Sequence, residues 1–381
     1  MSSDSTFRIF IPNLLISLLT KILVVVCKVL HCLTIICTYI FKLRSGFLRK
    51  NMLVIESGEI GWNLIEYEEL LTSATEYLGE AQVSKLAIET NCNYLVKVAK
   101  EIKERKPTHY VYDPRTGSQS WTLGLLEAIT LNFLFAWHDI VPSARLSDMP
   151  ERRWRIQCAV VTSHSGICTT LMLPSQMRYI FPHRRLIGPM MMAMSNATVN
   201  RLILERKQRP SNSKPRVIFT GAMYEPRASF MLSLKECLYS CGIELILETR
   251  SINEPRDANE AYWNRLLNAD IVVTTADLSI GLGAESMNIP HLIYRYSEVL
   301  ASGALLIAPC VPGIDKYFKQ GVHFASFSNV RHAADLIEFY YQSNSERKHI
   351  AGCGSQRIQQ LIQTQSFWRE IDFALGVEGF V

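Results

Sequence analysis

The 381 residues contain no Cys-x-x-Cys pair, no Asp-x-Asp motif and no Gly-x-Gly-x-x-Gly fingerprint. The first absence, together with the lack of any Cys/His cluster at zinc-ligand spacing, speaks against a structural zinc site. Ten cysteines without such a pattern fit a reducing compartment. The second absence removes the paired carboxylates with which many phosphate-handling enzymes hold a divalent ion. The third argues against an ordinary dinucleotide dehydrogenase. Charge of one sign is also scarce: forty Lys and Arg face thirty-five Asp and Glu, and the excess of +5 is spread along the chain. That is not the dense basic footprint of a nucleic-acid binder, so no nucleic-acid partner is expected.

What the sequence has in abundance is apolar residues at its beginning. From Phe7 to Phe41 the chain is almost wholly apolar, broken by Pro12, Lys21, Lys28 and His31, and no small-residue cleavage site follows. The segment therefore reads as a retained membrane-associated helix rather than a signal peptide. Ile22 to Phe41 is long enough to cross a bilayer, although Lys28 and His31 would be costly near its centre. Lys42, Arg44, Arg49 and Lys50 follow directly, which by the positive-inside rule puts the remainder of the chain in the cytoplasm.

After residue 50 apolar runs alternate with amphipathic stretches. MLVIE at 52–56 leads into a glycine loop and a helix, Val83 to Ile88 precedes a helix around Tyr94 to Lys103, and HYVYD at 109–113 precedes Leu123 to Phe135. IQCAVVT at 156–162 reads as a further strand, stopping at Ser163-His164. A polar stretch with prolines near 206–214 suits an interdomain linker. A second alternating series follows, with strand RVIFT, helix Ala228 to Cys241, strand IELIL, helix Asp257 to Leu267 and strand DIVVTT. Strand-helix alternation implies parallel, doubly wound sheets. The expected organisation is a membrane-associated segment at 1–50, a Rossmann-like domain at 51–205, the linker at 206–214 and a second Rossmann-like domain at 215–381.

The specific signal lies in residues 295–354. Glu298 stands on a predicted helix that closes with Ala301-Ser302-Gly303, then come an apolar strand from Ala304 to Ala308, the loop Pro312-Gly313, and helices. This order resembles the donor-binding domain of group 1 glycosyltransferases. Gly221 and Arg227 match the family's opening, where a strand ends in glycine and an arginine begins the next helix. The resemblance implies the α/β GT-B architecture of two Rossmann-like domains. It implies a hexosyltransferase-type enzyme that uses a nucleotide-sugar donor as co-substrate and no separate cofactor. A glycan or lipid-linked acceptor is expected on the first domain. One departure stands out: many retaining relatives carry a Glu-x7-Glu pair, and the position eight before Glu298 is Pro290, with Glu285 at the wrong spacing.

Within that frame Arg227 is expected to face the donor diphosphate and Glu298 to hold the ribose hydroxyls, so that no metal is required. Arg295 either neutralises phosphate or pairs with Glu298. Ser302 and Gly303 belong to the same donor-binding stretch, although helix capping explains Gly303 equally well. For a catalytic base the first domain offers Asp113 and His164, at predicted strand ends, ahead of His138 and Asp139. The basic runs Arg152-Arg153-Trp154-Arg155 and His183-Arg184-Arg185 are either solvated faces or a hold for an anionic lipid-linked acceptor. A nucleotide-sugar epimerase of the same fold and a non-catalytic binding module at the membrane are the alternatives.

Overall fold

The computed structural model describes residues 18, 21, 22, 25, 26, 29, 52–58, 64–88, 93–114, 120–146, 152–163, 166–177, 185–210, 214–223, 225–250, 259–278 and 289–375. Of the N-terminal segment, Leu18, Lys21, Ile22, Val25, Val26 and Val29 are helical and exposed. Among the described residues no helix is long and apolar enough to cross a membrane, so a spanning helix gains no support.

The first sheet is wholly parallel. Its strands are β1 (Leu53–Gly58), β2 (Val83–Ile88), β3 (His109–Tyr112), β4 (Val141–Leu146), β5 (Ile167–Thr170) and β6 (Leu186–Ile187), in the order β2-β1-β3-β4-β5-β6. Helices α1 (Leu64–Leu78), α2 (Tyr94–Arg105), α3 (Trp121–His138), α4 (Arg152–Val161) and the single turn α5 (Pro174–Met177) connect them.

Alternation along the strands sorts the two faces. Val54, Tyr110, Tyr112 and Ala144 pack under α2, α3 and α4, while Leu53, Ile55 and Val111 pack against Leu70 and Ala74 of α1. The amphipathic period is clearest in α2, which buries Tyr94, Val98 and Ile102.

One expectation is corrected here: of residues 156–162, 156–161 form the latter part of α4 and Thr162 the turn after it, rather than a strand. Cys158, Ala159, Val160 and Val161 are all fully buried. A helix section covered on every side shows the same unbroken apolar run as a buried strand, so periodicity could not separate them. The reason for placing His164 at a strand end falls with it, and His164 lies outside the described residues.

Helix α6 (Asn196–Gln208) leads to the second parallel sheet, with strands β7 (Val217–Ala222), β8 (Leu245–Arg250), β9 (Ile271–Val273), β12 (Leu305–Pro309) and β13 (Ala325–Phe327). Their order is β13-β12-β9-β7-β8. Between β9 and β12 stand a small antiparallel pair, β10 (Asp277–Leu278) and β11 (Ile289–Pro290), and helix α9 (Arg295–Ser302). Helices α7 (Arg227–Ser240) and α10 (Val330–Gln342) cover one face over Phe219, Leu305 and Ile307. Helices α6, α8 (Asn259–Asn268), α9 and α11 (Asn344–Gln363) cover the other over Ile218, Val272 and Leu306.

Two helices tie the halves together. The start of α6 is held from α1, where Glu69 accepts from the Ser195 amide at 2.7 Å and from Thr198 Oγ1 at 2.6 Å, and Glu76 accepts from the Asn196 amide at 2.7 Å. Its other end packs on the second half: Arg206 donates to the carbonyls of Leu267 and Ala269 at 2.6 and 2.7 Å. The helix thus runs into the segment expected to be a linker. The last helix, α12 (Ser366–Leu375), returns to the first sheet, burying Trp368 and Ile371 against Leu53 and Leu70, with Trp368 Nε1 donating to Ser73 Oγ at 3.2 Å.

Candidate functional site

A doubly wound sheet opens a crevice where successive connections leave in opposite directions, at the carboxyl ends of the strands. In the second sheet β7 lies between β8 and β9, so its carboxyl end, at Gly221 and Ala222, borders that crevice. Gly221 has φ of +145°, a backbone conformation open to glycine. A methyl group added there would lie 3.7 Å from Nη2 of Arg295 and 4.0 Å from Nη1 of Arg227. Two guanidinium groups from helix starts 68 positions apart in sequence therefore converge over one bare stretch of backbone.

Arg227 begins α7 and reaches across the crevice, donating from Nε to Thr275 Oγ1 at 3.0 Å and from Nη1 to the Ala222 carbonyl at 3.2 Å. Its guanidinium also lies 5.8 Å from the centre of the Phe219 ring. Arg295 begins α9; its Nε stands 3.6 Å from Glu298 Oε2, its Nη1 donates to the Tyr262 hydroxyl, and its guanidinium lies 4.9 Å from the centre of that ring. Tyr262 in turn donates to Glu298 Oε2 at 2.6 Å. Arg295 therefore pairs with Glu298, one of the two readings considered for it, and its guanidinium also borders the space over Gly221.

Ser302 and Gly303 sit at the other end of α9. The Ser302 hydroxyl is fully buried and donates to the Val299 carbonyl at 2.8 Å, inside its own helix. Gly303 is the left-handed C-cap with φ of +72°, facing Arg206 of α6. Neither is brought to Gly221, Arg227, Arg295 and Glu298. Thr275 and Tyr262 join that group and were not foreseen; the DIVVTT run ending β9 was the available signal for Thr275, while Tyr262 lies within an ordinary amphipathic helix.

The first sheet has its own switch point between β1 and β3, and Asp113 follows β3 at that edge. It is enclosed: the Tyr67 hydroxyl donates to Asp113 Oδ2, and the Asp113 amide donates to Glu56 Oε2 at 3.1 Å. Glu56 is fully buried on β1 and accepts from the Tyr94 and Tyr110 hydroxyls at 2.6 and 2.5 Å. Burial, followed by the Glu56 charge, raises both tyrosines well above the ordinary phenol range, so they remain donors. Tyr67 also lies under Arg145, 5.0 Å from ring centre to guanidinium, and Arg145 pairs with Glu66 at 2.7 Å.

Buried Tyr294 belongs to a core cluster that holds Ile65 of the first half and Leu292 of the second. Its hydroxyl is raised well above the ordinary range by burial, then by the charges of Glu69, Glu298 and Glu66. The Leu292 amide donates to the Leu171 carbonyl at 2.9 Å, a backbone bond from one half to the other. Among the described residues no group of three or more His, Cys, Asp or Glu side chains could hold a metal ion.

Comparison with known proteins follows this division. Residues 250–371, about a third of the chain, match the family model described as glycosyl transferase-like. No curated protein matches the chain by sequence. Among solved structures it is similar to Anabaena HepE in complex with UDP and glucose, at a TM-score of 0.56 and 10% identity, covering 86% of this chain and 100% of that one. It is similar to a glycosyltransferase from Rickettsia africae, with a TM-score of 0.56, 9% identity and coverage of 87% and 100%. It is also similar to sucrose-phosphate synthase from Thermosynechococcus elongatus, with a TM-score of 0.52, 10% identity and coverage of 85% and 100%. At these identities the structural likeness establishes the fold. The chain has the two-domain GT-B fold, and its C-terminal domain is similar to the donor-binding domain of group 1 glycosyltransferases.

Proposed function

We propose that the chain is a glycosyltransferase that takes a hexose from a nucleoside-diphosphate sugar and passes it to a hydroxyl of a glycan or lipid-linked acceptor. The observation that carries this reading is the convergence of Arg227 and Arg295 over Gly221 beside Glu298. An anionic diphosphate fits a bare backbone turn flanked by two cations and the start of α7. The carboxylate of Glu298 then accepts from a ribose hydroxyl. As the sugar's anomeric carbon leaves the phosphate oxygen, charge grows on that oxygen and Arg227 stabilises it, with no metal required. The acceptor oxygen bonds to the anomeric carbon and gives up its proton to a base of the first domain; Asp113, at the edge of the first sheet, is one candidate and must part from the Tyr67 hydroxyl to take that proton. His164 remains a second candidate base.

Membrane association with the catalytic domains on the cytoplasmic side belongs to the same reading. It is supported by the exposed apolar helical residues Leu18, Ile22, Val25, Val26 and Val29 and by the basic residues at 42–50. Calorimetric titration with UDP-glucose, UDP-N-acetylglucosamine and GDP-mannose tests the donor assignment. UDP-glucose comes first because HepE was solved with UDP and glucose. At least one donor should bind, with binding reduced in Glu298→Gln, and transfer or slow donor hydrolysis should persist in a chelator. Failure of every nucleoside diphosphate and its sugar to bind would remove the reading; binding with neither transfer nor hydrolysis would leave the non-catalytic module.

A further inference from the structure

Glu298 presents its two carboxylate oxygens unequally. The Tyr262 hydroxyl donates to Oε2 at 2.6 Å, and Nε of Arg295 stands 3.6 Å from the same atom. Among the described residues nothing donates to Oε1, and Oε1 is not sealed from solvent. The side chain as a whole is only 8% exposed. One oxygen is therefore engaged inside the protein, and the other is what Glu298 offers to a ligand.

Tyr262 is fixed in a way that keeps it on Oε2. It stands in the first turn of α8, its ring packed on the core cluster that holds Trp263 and Leu266 and set edge-on to the Trp263 indole, with 5.5 Å between ring centres. The guanidinium of Arg295 lies 4.9 Å from the centre of the Tyr262 ring and donates from Nη1 to its hydroxyl. A cation on the phenol oxygen polarises the O–H bond and strengthens its donation to Glu298. A phenol loses its proton at about pH 10, far below an aliphatic alcohol, and is correspondingly the stronger donor. A ribose hydroxyl therefore does not displace it.

The consequence is one of specificity. The two oxygens of a free carboxylate can take the two neighbouring hydroxyls of a ribose side by side, one each. With Oε2 engaged, Glu298 takes one. We propose, resting on the donor assignment above, that Tyr262 is a specificity-determining residue: it limits Glu298 to a single ribose hydroxyl of the nucleoside diphosphate, so that the 2′ and 3′ positions are read unequally.

Calorimetric titration of the full chain with UDP, 2′-deoxy-UDP and 3′-deoxy-UDP tests this, with the guanosine series in their place where GDP binds tighter. One deoxy analogue should bind about tenfold weaker than the parent, having lost a hydrogen bond to a charged acceptor, and the other within about twofold of it. Tyr262→Phe leaves the ring on the core and opens Oε2, so both analogues should then bind weaker than the parent by similar factors. A melting curve checks the fold of the variant. If Tyr262 merely supports α8, the variant shifts all three affinities by one factor and their ratios stay as they were, which would overturn the proposal. So would equal losses for the two analogues in the unaltered protein, a result that needs no variant. Binding of the parent with no loss for either analogue would take Glu298 off the ribose and the proposal with it, while the diphosphate site stood. Failure of UDP and GDP alike to bind would remove the donor assignment itself, and with it this inference.

Discussion

At the carboxyl edge of the second sheet two guanidinium groups flank an open turn of backbone, and at the same edge of the first sheet a carboxylate is shut in by tyrosine hydroxyls. The architecture is shared, but the electrostatics are opposed. Arg227 and Arg295 spend part of their donors on Thr275, Ala222 and Tyr262, geometry that fixes their direction toward Gly221. Glu56 is fully buried with two tyrosines and an amide around it, so its charge is consumed in holding β1, α2 and the end of β3 together. Substitution of Arg227 should therefore fail as chemistry and substitution of Glu56 as folding.

The largest difference is expected from Arg227→Ala. Removing a charge-assisted contact that strengthens as the donor bond breaks should depress turnover about a hundredfold, or ~3 kcal/mol. The melting temperature should hardly move. Glu298→Gln is the contrast within the site: its contact exists before and during reaction, so donor KM should rise with little change in kcat. Steady-state kinetics on both variants separates the two roles, and equal effects on KM and kcat in each would dissolve the distinction.

Next in size is Glu56→Ala. It strands two buried hydroxyls and the Asp113 amide without their acceptor, costing about 2–4 kcal/mol of stability, measurable in urea unfolding. Glu56→Gln keeps an acceptor and should recover much of the loss. A variant that unfolds at the wild-type urea concentration would show that these bonds are replaced by others and that the comparison between the sheets is overstated.

The sequence disclosed the alternation, the glycine turn at Gly221 and the two residues, Arg227 and Glu298, that stand at the second sheet's crevice, because strand ends and helix starts are local features. It misread residues 156–162, since burial on all sides erases the difference between strand and helix. It also grouped Ser302 and Gly303 with the donor residues by adjacency along the chain, whereas eight residues of helix carry them to the opposite end. Tyr262 could not be found at all, because its contact with Glu298 joins positions 36 apart. Glycine variants sharpen the same point. Gly303→Ala strains a φ of +72° and crowds Arg206, so it should cost about 1 kcal/mol of stability with unchanged donor KM. Gly221→Ala strains a φ of +145° in the same way but also places a methyl group beside both guanidinium groups, so it should raise donor KM in addition to lowering stability.

The smallest effect concerns the joint between the halves. Glu69 is buried, and burial raises its carboxyl above the ordinary 4.5 although hydrogen bonds from Thr198 and Ser195 pull the other way. The folded protein thus holds this proton to higher pH than the unfolded chain does. Above pH 4.5 stability should decline as pH rises, until Glu69 is ionised in both states, and level off beyond that. Asp372 on α12, also raised by burial, adds a decline of the same sign, so the wild-type curve alone cannot assign it. Glu69→Gln removes one of the two contributions while its amide oxygen still accepts from Ser195 or Thr198. The variant should match the wild type most closely near pH 4.5 and gain on it as pH rises, because the cost of ionising a buried carboxyl is gone. Urea unfolding at half-unit steps from pH 4.5 to 8 reads this directly. Parallel curves would mean that the start of α6 gives Glu69 enough donors to cancel its burial, making that joint electrostatically closer to the crevice at Gly221 than to the enclosed carboxylate at Glu56.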